Sequence, residues 1–431
     1  MRDKSRYSIK TMDRIIIEGG IPLRGKVGIS GSKNSALPIL AATLLAEGTS
    51  NIENLPLLKD IETMLKILDS LGAKIELRKG SVKIDTKSVR NFTAPYDLVR
   101  TMRGSICILG PLLARFGRAV VSLPGGCVIG PRPIDLHLKG LEKLGAKIEI
   151  RKGDIEAKAK KLKGKRIFLG GTFGSSVLAT ANLMMAATLA DGETLLEFAA
   201  CEPEIVDLAN FLNRMGAKID GAGSHFLRIK GVRRLKGETY RIIPDRIEAG
   251  TYLVAGLITK GEVSIEGAIS RHLGAVIDKV EEAGAKVEIK RNVLVIKNSG
   301  RSLKSVNVVT LPYPGFPTDM QAQFMVLMCL ARGTSIITER IFPKRFIHIG
   351  ELNRMGADIS TEGDSAIVKG GRAFIGTRVM ASDLRASAAL ILAALAAKGE
   401  TEISRVYHLD RGYEKLVEKL SLLGAKIRRV K

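Results

Sequence analysis

The sequence predicts an α/β protein of two lobes, with helices inside and short sheets facing outward, built from six copies of one unit. The hexapeptide Leu71-Gly72-Ala73-Lys74-Ile75-Glu76 recurs in variant form, its glycines falling at Gly72, Gly145, Gly216, Gly284, Gly356 and Gly424. A second glycine keeps step with it, at Gly48, Gly117, Gly192, Gly261, Gly333 and Gly399, each 23 to 28 residues before its partner. A period of about 70 residues exceeds that of thin solenoid coils, so each unit is a small α/β element. The 45% of apolar residues in a chain of 431 suffices for two cores.

Within the first unit the elements follow in order. Ala36 to Leu45 is rich in Ala and Leu, with one Pro placed in its first turn, and stops near Gly48 as a glycine-capped helix should. Thr49 to Glu53 alternates like a strand. Lys59 to Leu71 sets Ile61, Met64, Leu65, Ile67 and Leu68 on one helical face, and Gly72 ends it. Ile75 to Leu77 and Val82 to Ile84 are short alternating segments around the Lys79-Gly80 turn. The unit therefore reads helix, strand, helix, strand, strand. Three units make a body of about 200 residues, near the usual upper size of one core. The expected division is residues 1–33 with 244–431 in a first lobe and 34–243 in a second, the chain crossing near Lys33 and near Pro244-Asp245-Arg246.

No apolar run reaches membrane-spanning length, and the polar, basic start lacks a signal-peptide core, which places the protein in the cytoplasm. Cys107, Cys127, Cys201 and Cys329 show no metal spacing, so no metal or cofactor is expected; Cys107 and Cys329 lie in apolar runs and should be buried. The formal net charge of +24 favours anionic partners. Its densest run, Arg151 to Arg166, holds eight basic residues in sixteen but no aromatic on which a base could stack. It reads as a solvated basic face, and no nucleic-acid partner is expected. No apolar stripe is left over for a second copy, so the chain reads as a monomer.

Chemistry concentrates where the repeats are interrupted. Pro124 to Pro133 holds six Gly or Pro in ten residues and must be a loop, and it carries both Cys127 and Arg132. Arg132 would hold an anion and favour the thiolate, against the apolar Val128 and Ile129; the bland alternative is a turn with an incidental cysteine. Gly31-Ser32-Lys33-Asn34 opens the first helix, where free N–H groups and the dipole favour a phosphate and Lys33 adds a full charge. Pro314 to Gln321 likewise opens a helix and places Asp319 near its start, a position also used by simple first-turn acids. Arg411, in Asp410-Arg411-Gly412, stands near another predicted helix start, where a bound anion would rationalise a cation.

Gly31 to Pro38, Leu98-Val99-Arg100-Thr101-Met102-Arg103, the Pro-Gly-Gly-Cys loop, Phe316 to Gln323 and Asp383 to Ser387 together resemble the UDP-N-acetylglucosamine 1-carboxyvinyltransferases, relatives of 5-enolpyruvylshikimate-3-phosphate synthase. The resemblance runs from about Ile15 to Val430. It implies an inside-out α/β barrel in two lobes with substrates between them. It further implies transfer of enolpyruvate from phosphoenolpyruvate to the sugar 3-hydroxyl with release of phosphate, the first committed step towards peptidoglycan.

The same resemblance implies residue roles. Cys127 is the proton donor, open to alkylation by fosfomycin, and Asp319 the base towards the sugar hydroxyl. Lys33, Asn34, Arg132 and Arg411 hold phosphoenolpyruvate. The nucleotide sugar falls to Asn34, Arg103, Arg132, Pro133, Ile134, Asp135, Leu136, Gly174, Ser175, Ser176, Val177, Asp319 and Ile341. Arg246, Arg345 and Arg385 sit in matching segments too, with structural pairing to Asp245, Glu248 or Asp383 an equally good account. One departure stands out: Leu178 replaces the family's usual glycine beside the diphosphate stretch. It motivates an alternative reading, a divergent enolpyruvyl transferase with a different nucleotide-sugar acceptor. The shikimate enzyme usually lacks the Pro-Gly-Gly-Cys loop, and the related RNA 3'-phosphate cyclases would explain the charge but not Cys127 with Asp319.

Overall fold

The six hexapeptide glycines all take the left-handed conformation, with φ between 94° and 106°. The alanine after each returns its N–H to the carbonyl five residues back, Ala73 to Leu68 at 3.0 Å, Ala217 to Leu212 at 3.0 Å and Ala425 to Leu420 at 3.0 Å among them. This is the Schellman helix stop, which needs glycine at the left-handed position. The repeat is thus a helix C-cap written six times, and it releases the chain into a strand at Lys74, Lys147, Lys218, Lys286, Ile359 and Lys426. A computed structural model describes residues 13–123, 134–172, 174–297 and 302–430.

Each unit ends in a small outward sheet of constant topology. In the first, Thr239–Arg241 runs parallel to Thr49–Glu53, which pairs antiparallel with Ser81–Asp85, itself antiparallel to Lys74–Arg78. The same order of one parallel and two antiparallel pairings recurs in four further sheets. In the remaining one a single parallel bridge, Thr93 to Val120, stands where the parallel strand would be. The last unit departs from the expected order: Arg14–Glu18, from the opposite end of the sequence, fills the place between Glu400–Ser404 and Lys426–Val430. Arg24–Gly28 likewise joins Glu262–Glu266 in parallel.

Two kinds of helix lie beneath these sheets. Lys33–Ala42, Leu109–Phe116, Val177–Ala187, Arg246–Ile258, Gln321–Leu330 and Leu384–Ala396 are apolar and buried on almost every side, as inner helices must be. Lys59–Ser70 and Pro203–Arg214 bury one face and show the other to water. The first inner helix begins at Lys33, earlier than its composition suggests, because Ser32 caps it by accepting from the N–H of Ser35 at 3.4 Å; Pro38 therefore sits within the helix, past its first turn.

Buried apolar side chains fall into two clusters, one drawn from residues 36–242, the other from 15–27 and 247–427. Cys107 and Cys329 are buried in them as expected. Between the clusters the chain passes twice, and the two passages are hydrogen-bonded side by side: Ser32 N–H to Ile243 O and Asp245 N–H to Ser30 O, each at 2.8 Å. A side chain at Gly31 would collide with the Asn54 carbonyl at 1.8 Å, so only glycine lets these strands pass.

Candidate active site

Two carboxylates, each held by two cations, organise the ground between the cores. Asp60 lies in the first turn of Lys59–Ser70, only 5% exposed. Its Oδ2 accepts from Lys33 Nζ at 3.1 Å and its Oδ1 from Arg411 Nε at 2.9 Å, while Arg411 Nη2 donates to the Thr101 carbonyl at 3.2 Å. Burial pushes the Asp60 carboxyl up, but Lys33 and Arg411 outweigh it and hold it below the ordinary aspartate value. Asp60 belongs to the 36–242 side and Arg411 to the other, so this cluster spans both cores.

Asp319 is gripped more tightly. It follows Pro317 in the turn Thr318–Met320 that leads into Gln321–Leu330, and it does not cap the helix. Its Oδ1 accepts from Arg345 Nη1 and its Oδ2 from Arg385 Nη2, both at 2.8 Å. Burial again opposes ionisation, and the two guanidiniums overcome it, taking the carboxyl well below its usual range. Glu339, fully buried, accepts from Thr310 at 2.6 Å, from Thr318 at 2.9 Å and from the N–H groups of Ile341 and Phe342 at 3.0 Å. Thr318 also accepts from Arg345 at 2.9 Å, so one network fixes Asp319, Arg345 and Ile341 together.

These contacts bear on the pairing left open for three arginines. Arg345 and Arg385 pair with Asp319, and Arg246 pairs with Glu204 at 3.0 Å; none pairs with Asp245, Glu248 or Asp383. Asp245 and Asp383 instead cap the helices that follow them, and Glu248 holds Lys419 at 2.6 Å. Arg411 ends the short turn Val406–Arg411 and does not open a helix, because the next helix starts only at Leu416. A cation is at home at such an end, so the dipole argument for a bound anion there falls away.

The nucleotide-sugar candidates are brought together in part. Gly170–Gly171 and Gly174–Ser175 form a two-stranded hairpin. A Cβ at Gly171 would touch Leu136 Cδ1 at 3.2 Å, and one at Gly174 would meet Pro312 at 2.9 Å, so the hairpin lies between the Ile134–Leu136 segment and the opposite core. Asp135 starts the helix Asp135–Lys143. Ser176 caps Val177–Ala187, and Val177 and Leu178 both pack against their core. Asn34 lies in the first turn beside Lys33. Arg103 opens the turn Arg103–Ile108 and bears electrostatically on buried His137. Cys127, Arg132 and Pro133 fall outside the described residues.

The chain matches the family model for EPSP synthase (3-phosphoshikimate 1-carboxyvinyltransferase) over residues 17–420. It belongs to that family. Among members, it is similar to the UDP-N-acetylglucosamine 1-carboxyvinyltransferases of Geotalea uraniireducens (56% identity, 97% of this chain and 100% of that one) and Coxiella burnetii (53%, 97% and 96%). The solved enolpyruvyl transferase NikO from Streptomyces tendae superposes with a TM-score of 0.89 at 26% identity, over 97% of this chain and 99% of that one. EPSP synthase from Acinetobacter baumannii shares the fold, with a TM-score of 0.76 at 22% identity, over 98% of this chain and 100% of that one. The two-lobed inside-out α/β architecture is that of these enolpyruvyl transferases. Among the described residues of this family member, no helix is long and apolar enough to cross a membrane.

Sequence reasoning missed Asp60, Glu204 and Glu339. Asp60 did leave a signal: it stands four residues before Met64 on the apolar face of its helix, where a carboxylate must be paired to be tolerated.

Proposed function

We propose that this chain transfers the enolpyruvyl group of phosphoenolpyruvate to the 3-hydroxyl of UDP-N-acetylglucosamine and releases phosphate, the first committed step of peptidoglycan synthesis. The observation that carries the reading is the meeting of Lys33 and Arg411 at Asp60, which gathers two cations where the cores face each other, as a compact, multiply charged anion requires. The acceptor is taken from the curated relatives, and the packing of Leu178 into its core supports an unaltered diphosphate site.

In this reading the incoming phosphate or carboxylate replaces Asp60 as the partner of Lys33 and Arg411, with Asn34 and Arg132 completing the set. Cys127 protonates carbon 3 of phosphoenolpyruvate while the sugar oxygen adds to carbon 2; loss of that proton and of phosphate from the tetrahedral ketal completes transfer. Asp319 receives the hydrogen bond of the 3-hydroxyl. Its depressed pKa keeps it ionised and makes it a weak base, so it orients the hydroxyl first and takes the proton only as the oxygen bonds to carbon 2 and becomes acidic. Ile341, Arg103, Leu136 and the 170–177 segment serve the nucleotide sugar.

The division at 33/34 and 243/244, a monomeric state and a cytoplasmic location complete the proposal; the separation of the two apolar clusters supports the first of these. Phosphate release with phosphoenolpyruvate and either UDP-N-acetylglucosamine or shikimate 3-phosphate, with product mass recorded, tests the function. Turnover only with the sugar is expected, and turnover only with another acceptor would refute the assignment. Cys127→Asp should stay active and resist fosfomycin, whereas Cys127→Ala should lose turnover, because a carboxylic acid donates a proton but is a poor nucleophile.

A further inference from the structure

A second cleft lies at the far end of the inner helices of the 34–243 lobe. It has a volume of about 870 Å³, within the size range of small-molecule sites. Leu45, just beyond the helix that Lys33 opens, lines it, so the cleft stands about 18 Å along that helix from Lys33.

Its lining holds seven Lys or Arg against the single acid Glu47. Part of this charge has a structural use. Arg115 donates to the carbonyls of Leu44 at 3.0 Å and Ala46 at 2.7 Å, and Lys161 pairs with Asp191 at 2.6 Å. Three helix C-termini converge here, and their dipoles supply about one and a half negative charges. Lys87, Lys160, Arg233, Arg234 and Lys236 are exposed and form no ion pair among the described residues. About three to four positive charges therefore remain unbalanced around one concave surface.

The floor is apolar, with Leu113, Leu162 and Leu235 buried beneath it. Phe116 supplies an aromatic wall, its ring half-buried and 4.6 Å from the Arg115 guanidinium. The basic run 151–166 carries no aromatic of its own, but folding sets Lys160 and Lys161 beside Phe116. Cations around an aromatic and apolar floor suit a ligand with several phosphates at one end and a flat base at the other.

We propose that this cleft is a second ligand site, for a nucleoside triphosphate, separate from the catalytic cations and independent of the reaction assigned to them. Among the described residues, Phe116 is the one aromatic lining the cleft, which suits the stacking of a single base and not of successive bases along a strand.

The test is calorimetric titration of ATP, at low salt, into a Lys33→Ala variant, which weakens anion binding between the cores. One saturable site per chain is expected, weakened at least tenfold by adding Arg233→Glu and Arg234→Glu; both side chains are exposed, so the fold should persist, checked by circular dichroism. In the wild-type background the same pair should leave turnover unchanged. Absence of saturable binding, or binding indifferent to the pair, would overturn the site. Tripolyphosphate binding as tightly as ATP would overturn the nucleotide assignment, as would a single-stranded RNA that binds and is not displaced by ATP.

Discussion

Asp60 and Asp319 present the same motif, one carboxylate between two cations, in opposite mechanical settings. At Asp60 one partner, Arg411, lies 351 residues away in the chain, and its side chain is 37% exposed. Around Asp319 the guanidiniums are 6% and 3% exposed; Arg345 is tied to Thr318, and Arg385 lies 5.3 Å from the Tyr413 ring. An arriving anion can exchange with Asp60 and leave Lys33 and Arg411 paired throughout. The guanidiniums at Asp319 offer an arriving anion almost no exposed surface, so the first cluster is the one open to a new partner and the second the more fixed.

The largest effect should come from breaking the fixed cluster. Asp319→Asn leaves both guanidinium charges without their carboxylate in a buried setting, and breaking a buried pair costs about 3–5 kcal/mol. Turnover should fall by about 10² to 10³, with a smaller change in substrate binding. Urea unfolding alongside steady-state kinetics measures both. A variant as stable as the parent would mean that the two arginines are not held by this carboxylate.

Breaking the exchangeable cluster should separate binding from stability. Arg411→Ala removes a charged contact to the substrate, worth about 1.5–3 kcal/mol, so KM for phosphoenolpyruvate should rise about tenfold to a hundredfold. Stability should change by about 1 kcal/mol or less, since the side chain is partly solvated. Asp60→Asn should act in the opposite direction on the anion. With the competing carboxylate gone, inorganic phosphate should bind about tenfold more tightly, read by calorimetry. Weaker phosphate binding would show that Asp60 positions the cations for the substrate and does not compete with it.

The contrast also explains what was legible in the sequence. The Schellman stops, the strand starts and the two cores follow from local chemistry: glycine is needed at the left-handed position, and apolar residues recur at the helical period. Lys33 and Asp319 could be picked out because each begins a helical segment after a glycine- or proline-rich stretch. The pairings could not be read in the same way, because 351 residues separate Arg411 from Asp60 and 66 separate Arg385 from Asp319. The sequence therefore left Arg246, Arg345 and Arg385 open between a role in the site and pairing with Asp245, Glu248 or Asp383, acids that are engaged as helix caps or with Lys419. The insertion of Arg14–Glu18 into the last sheet was hidden for the same reason, since nothing in a strand's own alternation names its neighbour.

The smallest and finest distinction is in acid. Both carboxyls are held below the ordinary value of 3.8, Asp60 moderately and Asp319 far below. A depressed folded-state pKa contributes stability that is complete above the unfolded value and is lost as pH falls through the folded one, because the unfolded chain binds the proton first. On descending from pH 5, the contribution of Asp60 should disappear first and that of Asp319 persist to lower pH. Unfolding free energy measured from pH 5 to pH 2 should therefore flatten only just below the unfolded aspartate value for Asp60→Asn, and over the whole range below that value for Asp319→Asn. Coincident flattening in the two variants would mean that their cations hold the carboxylates equally, and the division into an exchangeable and a fixed cluster would fail.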